Sequence, residues 1–406
     1  MFAMTARVML ALETRLVPAM KAGVVLAQKA CAVFAQKASA VPAQKAGMVL
    51  AQKAGVVLAK KAGVVPAQKA GMVLGKKAGA ALALALVLAL TGCGSRAPQE
   101  KVRLAVGGAA QIVYLPTTLA QQLGYYADEG LEVEFQDYPG GAKALQSLLG
   151  GSADVVSGFY DHTIQMAAEG KHLQAFIVLV RHPGLVLVVS PAASRRIGSV
   201  ADLAGAKVGV TSPGSATHFF LNFLLSKHGI APDAVSVIGI GHAGSAVASM
   251  ESGQVDAAVM TDPALSQITR RAGPARILAD TRTPNGVQAE FDTEAVPASV
   301  LYAQRDWIDS HPAQARKLTR ALQRTLTWIQ EHDAKAIAAK MPPTHRGADL
   351  ALYEAALAAS MPIFATGGPM PVPGAEAVER LLRVSLPKLK DAQFALSATY
   401  TDRFLR

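Results

Sequence analysis

From Lys101 onward, strand-like runs alternate with helix-like segments. The run Lys101–Val106 alternates apolar and polar residues and ends in two glycines, which is typical of a strand entering a loop. Helical and strand patterns follow in turn as far as Val180. This alternation predicts a parallel sheet built from right-handed strand–helix–strand units.

The same pattern starts again after the apolar run Leu185–Val189. A helical turn, a loop and a strand occupy Val200–Val210, and helices and strands then alternate to Thr261. The segment Gly253–Ala258 (Gly-Gln-Val-Asp-Ala-Ala) echoes Gly151–Val156 (Gly-Ser-Ala-Asp-Val-Val). This internal echo predicts two lobes of like topology.

Three motifs carry a family resemblance: Gly124–Val133 (Gly-Tyr-Tyr-Ala-Asp-Glu-Gly-Leu-Glu-Val), Gly140–Ala142 and Gly151–Val155. From about Lys101 to at least Trp328, the chain resembles the nitrate, aliphatic sulfonate and taurine family of periplasmic substrate-binding proteins of ABC transporters. Relatives of that family also bind pyrimidine precursors of thiamine. The resemblance implies an α/β, two-lobed periplasmic-binding-protein fold (type II), with two doubly wound mixed sheets joined by two crossover strands.

The resemblance also implies a division of the chain. We expect residues 101–183 and 297–406 to form the first lobe and residues 184–296 to form the second. The two crossovers should place a hinge near Pro183–Val186 and Ala295–Ala298.

The residues before Lys101 have the pattern of a secretion signal. Ala78–Leu90 is apolar for about a dozen residues, which is too short to span a bilayer but suits a signal peptide, and lysines precede it. The ending Leu90-Thr91-Gly92-Cys93 resembles a bacterial lipobox, in which the cysteine thiol takes the lipid. We therefore expect a lipoprotein signal peptide over residues 72–92, lipidation at Cys93 and a tether over residues 93–100; the alternative is a buried apolar helix with an incidental cysteine.

Residues 1–71 carry an eight-residue repeat from Lys21 onward, exemplified by Lys45–Gln52 and Lys53–Lys60. An octad rotates its apolar stripe around a helix instead of forming a coiled-coil seam, and Pro42 interrupts it. We interpret this extension as a translated DNA repeat upstream of a start at Met72. A basic amphipathic leader is the alternative.

The net charge and the cysteine content bear on which partners and structural sites the folded part can have. Of the 40 Lys and Arg residues, 12 precede Cys93, as does one of the 29 Asp and Glu residues, so 28 of each sign remain and the formal charge after residue 92 is zero. The basic balance of the whole chain is therefore no argument for nucleic-acid binding. With Cys31 upstream and Cys93 assigned to lipid, the folded part contains no cysteine for a disulfide or a zinc site.

Ligands of open α/β sheets bind beyond the carboxyl ends of the strands, so the loops after strands supply the candidate ligand-binding residues. In the first lobe these candidates are Gln111, Tyr114, Thr117, Tyr160, Asp161 and His162. Asp161 is also placed to cap its own helix, and both roles stay open.

Candidates in the second lobe follow the same rule. Ser212, Ser215 and Thr217 precede or begin a helix, whose free N–H groups favour an anionic group. His242 begins a similar helix. Asp262 stands before a proline at a helix start, where local capping is the alternative.

These observations predict a lipid-anchored, extracytoplasmic solute receptor, periplasmic or at the cell surface, that delivers its ligand to an ABC permease. We expect a monomer without cofactor or catalytic residues, and a small organic ligand with acceptor and donor ends, sulfonate- or taurine-like or pyrimidine-like. Two alternatives remain: a same-fold enzyme of thiamine-pyrimidine metabolism, or a metal-binding receptor.

Overall fold

The computed structural model describes residues 99–405, so the repeat, the expected signal sequence and Cys93 lie outside the described residues. Within this range, ten strands form two five-stranded sheets. In chain order they are β1 (Glu100–Val106), β2 (Leu131–Asp137), β3 (Val155–Phe159), β4 (Leu173–Val178), β5 (Val186–Val189), β6 (Lys207–Val210), β7 (Ser236–Gly239), β8 (Ala257–Met260), β9 (Ile277–Asp280) and β10 (Ser299–Gln304). Over residues 99–405, no helix is long and apolar enough to cross a membrane.

Helices cover both sheets. They are α1 (Leu115–Gln122), α2 (Tyr125–Asp128), α3 (Gly141–Leu149), α4 (Asp161–Ala168), α5 (Ala216–Lys227), α6 (Ala243–Glu251), α7 (Ala264–Ala272), α8 (Pro284–Phe291), α9 (Arg305–Ser310), α10 (Pro312–Glu331), α11 (Ala334–Lys340), α12 (Pro343–Arg346), α13 (Leu350–Ser360) and α14 (Val372–Ser385).

The first sheet has the strand order β2-β1-β3-β10-β4 and the second has the order β7-β6-β8-β5-β9. We call each sheet with its covering helices a lobe. Every residue of β3, β5 and β8 is buried, because helices cover both faces of the central strands. The two-lobed fold with two mixed sheets is thus confirmed.

Each sheet contains one strand that runs against the parallel pattern expected from local alternation. In the first lobe β10 pairs antiparallel with β3 and β4, and in the second lobe β5 pairs antiparallel with β8 and β9. Both strands enter their sheet from the other lobe. They start at the edge where β3 and β8 end, so they must run in the opposite direction.

The C-terminal segment covers both lobes. The buried apolar residues of α10 recur at helical spacing, and the face that they form packs against α1 and α2 of the first lobe. In contrast, α14 packs mainly on α5 of the second lobe and also on α4. The Ser385 hydroxyl donates to the Phe219 carbonyl at 3.0 Å. Residues 297–406, expected on the first lobe, therefore also contact the second.

Candidate functional site

The two lobes meet at the carboxyl ends of their parallel strands. The backbone N–H of Ala142, at the start of α3, donates to the Ser215 hydroxyl at 3.0 Å. On the same side, His162 Nε2 lies 3.3 Å from the Gly214 carbonyl oxygen. These contacts join the first lobe directly to the loop that begins α5, and we call this junction the cleft.

A cavity of about 10 Å³ lies in the cleft. This is about the space of one water molecule, so the lobes are closed against each other here. The lining residues are Gly107, Gln111, Tyr114, Gly141, Phe159, His162, Leu185, Thr211, Ser215, Ala216 and Thr217. Five of the expected site residues thus come together: Gln111, Tyr114, His162, Ser215 and Thr217.

Hydroxyl groups cluster at the start of α5. The oxygens of Ser212 and Ser215 lie 2.8 Å apart, and those of Thr211 and Thr217 lie 2.9 Å apart. The Gly214 N–H donates to His218 Nδ1 at 3.0 Å, which fixes the loop. The arrangement offers rotatable hydroxyls and a helix N-terminus to an acceptor group.

The N-terminus of α3 faces this cluster from the first lobe. A Cβ atom on Gly140 would lie 2.7 Å from the Ser212 hydroxyl oxygen, and one on Gly141 would lie 2.9 Å from the His162 ring. Only glycine allows so close an approach of backbone to side chain. Two helix N-termini therefore meet across the cleft, and their free N–H groups favour the same kind of ligand end.

Asp161 supplies the opposite chemistry. Its side chain is 8% exposed, and its Oδ1 atom has no hydrogen-bond partner among the described residues. Burial raises the pKa of this carboxyl to about 7, an effect that the backbone N–H of His162 offsets only in part. Because Asp161 Oδ1 has no hydrogen-bond partner in the described chain, this oxygen does not cap α4.

His162 is fully buried, and burial lowers the pKa of its imidazole to about 4. Its Nδ1 atom lies 3.2 Å from the Tyr302 hydroxyl. A neutral ring that donates from Nε2 to Gly214 and accepts at Nδ1 from Tyr302 fits both contacts. The ring therefore joins the lobes without adding charge.

A second junction between the lobes involves Gln111, and we call it the Gln111 clasp. The Thr261 hydroxyl donates to Gln111 Oε1 at 2.8 Å, and the Ile112 N–H donates to the Asp262 carbonyl at 3.0 Å. Gln111 Nε2 donates to the Gly107 carbonyl at 2.7 Å. Both ends of the Gln111 amide are thus occupied by protein, so the residue holds the lobes together.

The carboxylate of Asp262 is also bonded to other side chains of the protein. Its Oδ2 atom lies 3.0 Å from Arg282 Nη1, and its Oδ1 atom accepts from the Ser266 hydroxyl at 2.6 Å. The structure therefore favours the capping role over an exposed ligand contact. Sequence reasoning did not identify Arg282, which follows a strand that was not predicted.

Three further candidates lie away from the cleft cavity. Thr117 is fully buried and donates to the Tyr114 carbonyl within its own helix. Tyr160 is fully buried, and its hydroxyl lies 2.5 Å from that of Thr399 in the C-terminal segment. Thr117 and Tyr160, which we expected in the cleft, therefore do not line its cavity. His242 lies at the rim, where a Cβ on Gly108 of the first lobe would come within 2.7 Å of its ring.

The candidates did not include six residues that line the cavity: Gly107, Gly141, Phe159, Leu185, Thr211 and Ala216. The paired glycines at 107–108 and 140–141 were the available signal, since each follows a predicted strand. Leu185 gives no such signal, because an apolar residue before an apolar strand is indistinguishable from core. Among the described residues, no group of three His, Cys, Asp or Glu side chains could hold a metal ion.

Comparisons with known proteins agree with this geometry. Residues 111–336 match the family described as NMT1/THI5 like. A solved structure from Bordetella bronchiseptica RB50 is 39% identical, with a TM-score of 0.73 over 76% of this chain and 96% of that one. The alkanesulfonate-binding protein SsuA from Xanthomonas axonopodis pv. citri, bound to MOPS, is 19% identical, with a TM-score of 0.61 over 75% and 100%.

The periplasmic nitrate-binding protein NrtA from Synechocystis PCC 6803 is 13% identical, with a TM-score of 0.59 over 75% of this chain and 87% of that one. At such low identities, SsuA and NrtA show a shared fold alone. The match to the family covers more than half of the chain. The chain therefore belongs to the NMT1/THI5-like family and has the two-lobed fold of substrate-binding proteins of ABC importers.

Proposed function

We propose that this protein is an extracytoplasmic solute-binding lipoprotein of an ABC importer. The observation that carries the proposal is the presence of two unlike groups in two adjoining cavities between the lobes. Hydroxyls and two helix N-termini offer donors, while Asp161 Oδ1, which has no partner in the described chain, offers an acceptor. SsuA and NrtA are named as binding proteins, which supports a receptor over an enzyme.

Closure of the lobes is the proposed mechanism. Ser215 belongs to one lobe and Asp161 to the other, so a ligand that reaches both binds the closed form more tightly than the open form. That difference in affinity shifts the population toward closure. The hinge lies in the crossovers near Pro183–Val186 and Ala295–Ala298, where few residues must change their backbone angles.

The ligand is a small organic molecule with acceptor and donor ends. An aminosulfonate or a pyrimidine-like heterocycle meets both requirements, whereas nitrate lacks a donor end and a bare metal ion lacks an acceptor end. The name of SsuA as an alkanesulfonate-binding protein supports a sulfonate. Tyr114 and Phe159, with ring centroids 6.2 Å apart, add flat apolar surface beside the polar groups.

Native mass spectrometry of the purified protein tests the proposal by identifying a solute carried through purification. Titration calorimetry with that solute should then show that Asp161→Ala and Ser215→Ala each weaken binding about 10- to 150-fold, because each removes a buried hydrogen bond to a charged group. Ser226→Ala, at the other end of α5, is the matched control. Wild-type affinity in both cleft variants would refute the assigned cleft.

Small-angle X-ray scattering tests closure with the same solute. The radius of gyration should fall on saturation, and an unchanged profile at proven saturation would argue against hinge closure. Turnover of the solute during the titration would favour an enzyme instead.

The anchor and the partner are separate parts of the proposal. Cys93→Ser should abolish incorporation of labelled lipid and release the protein from the membrane fraction, since the thiol is the acceptor. Retention of lipid in this variant would exclude Cys93 as the site. Crosslinking in membranes should capture an ABC permease.

A further inference from the structure

A second cavity lies behind the cleft, at the hinge, and has a volume of about 30 Å³. We call it the hinge pocket, and its walls include Asp161, Pro183, Phe220, Phe291, Pro297 and Leu381. Among the described residues that line it, Asp161 has the only polar side chain. The hinge pocket is therefore an apolar chamber that contains one carboxylate.

The pocket adjoins the cleft. Phe159, Leu185 and Ala216 line both cavities, so a ligand in the cleft can extend one end toward Asp161. Pro183 and Pro297 belong to the two crossovers, and Leu381 belongs to α14. Displacement in a hinge motion grows with distance from the axis, so walls at the crossovers move least when the lobes part. The size limit of the pocket should thus persist in the open form.

The carboxylate lacks a protein counterion. The titratable side chains that face it are His162, with Nδ1 4.0 Å from Asp161 Oδ1, together with Tyr114 and Tyr302. Burial keeps all three neutral, because it lowers the imidazole pKa and raises the pKa of both phenols. A buried carboxylate without a partner is costly to keep charged, so the site is suited to a cation supplied from outside.

We propose that the hinge pocket binds a primary ammonium group, the inner end of a zwitterionic ligand whose acceptor end lies at Ser215 and the start of α3. This inference rests on the proposed function and narrows it to amino-substituted anions. A volume of about 30 Å³ holds two or three water molecules by the measure used for the cleft cavity, so it admits an ammonium nitrogen and is too small for the four heavy atoms of a trimethylammonium group.

Other occupants fit less well. An anion would be repelled by Asp161, and a purely apolar group would leave the carboxylate buried and unpaired. A divalent metal ion needs six or more oxygen ligands or several nitrogen ligands, whereas these walls supply a single carboxylate side chain.

Small probes test the pocket without knowledge of the natural ligand. Thermal unfolding is followed at pH 8 in about 100 mM methylammonium chloride, tetramethylammonium chloride or sodium chloride. A two-atom ligand of high efficiency binds at several millimolar, so methylammonium should raise the unfolding midpoint by about 2–4 °C over sodium chloride. Tetramethylammonium should have no such effect. The rise should vanish in Asp161→Asn and persist in Asp233→Asn, which removes an exposed carboxylate of the other lobe.

Each other outcome overturns the inference. Equal midpoints in methylammonium and sodium chloride would show that the pocket takes no ammonium group, and an equal rise with tetramethylammonium would refute the size limit. Sodium methanesulfonate, tested in the wild type and Ser215→Ala, reports on the acceptor end separately. A methanesulfonate effect lost in Ser215→Ala, together with no methylammonium effect, would remove this inference and leave the proposed function standing.

Discussion

Asp161 and Asp262 occupy similar places in the two lobes, yet they differ in their electrostatic state. Each follows a buried strand, β3 or β8, and each stands at the start of a helix. Both are nearly inaccessible, with residue exposures of 6% and 2%. Asp262 is paired with Arg282 and bonded to Ser266, whereas Asp161 has one oxygen without any partner in the described chain.

This difference separates a structural carboxylate from a proposed binding carboxylate. Satisfied hydrogen bonds fix Asp262 and let it hold α7 and the Gln111 clasp in place. The unsatisfied Asp161 makes the ligand-free protein less stable, and a bound donor would recover that stability. Aspartates at equivalent positions in the two lobes can therefore differ in role. The difference depends on whether an arginine that is remote in the sequence lies beside the carboxylate.

Removal of Arg282 should make Asp262 resemble Asp161. We expect Arg282→Met to lower the free energy of unfolding by about 3–5 kcal/mol, because it leaves a buried carboxylate without its cation. Chemical denaturation at pH 7 measures this change. The control is Arg271→Met, whose ion pair with Glu251 is exposed and should cost less than about 1 kcal/mol. Equal losses of unfolding free energy in the two variants would mean that Arg282 is not the cause of the difference between Asp262 and Asp161.

Removal of the Asp161 charge should raise the free energy of unfolding, and by less than Arg282→Met lowers it. The folded pKa of about 7 exceeds the unfolded value near 3.9, so the folded state binds more protons between these values and wild-type stability falls as pH rises. Asp161→Asn abolishes this dependence. Its stability relative to wild type should increase by about 1.4 kcal/mol per pH unit between pH 5 and pH 7 and level off above pH 7.

Denaturation of ligand-free protein at pH 5, 6, 7 and 8 checks this prediction. Parallel curves for wild type and Asp161→Asn would show that Asp161 carries no burial penalty, which would also weaken its assignment as the acceptor for the ligand. Asp233→Asn should run parallel to wild type, because this aspartate is exposed.

The Gln111 clasp should contribute least. Thr261→Val removes the donor to Gln111 Oε1 and should destabilise the closed form by about 0.5–1.5 kcal/mol. Affinity for the carried-over solute should fall about 2- to 10-fold, because a smaller closed population binds more weakly. Calorimetry measures this loss. Thr269→Val, on an exposed part of α7, is the control, and an unchanged affinity in Thr261→Val would exclude a role of the clasp in closure.

Local sequence patterns predicted many of the elements. The expected strand at residues 101–106 agrees with β1, and the helix expected to begin near Ser215 and Thr217 agrees with α5, because alternation and helical periodicity depend on near neighbours. The strand β9 and the helix α8 were not predicted. Of the four residues of β9, which lies at a sheet edge, one is exposed, two are half-buried and one is buried, so the strand shows little alternation.

Sequence order also determined that the loops after β1, β3, β6 and β8 share one cleft, since parallel strands end on the same side of a sheet. Tertiary structure alone decided which polar groups in those loops remain free. Arg282 neutralises Asp262 from 20 positions away, and Thr399 holds the Tyr160 hydroxyl from 239 positions away. The antiparallel insertion of β5 and β10 likewise depends on which lobe a strand enters from. Such contacts join segments that are remote in the chain, and no short-range pattern of residues encodes them.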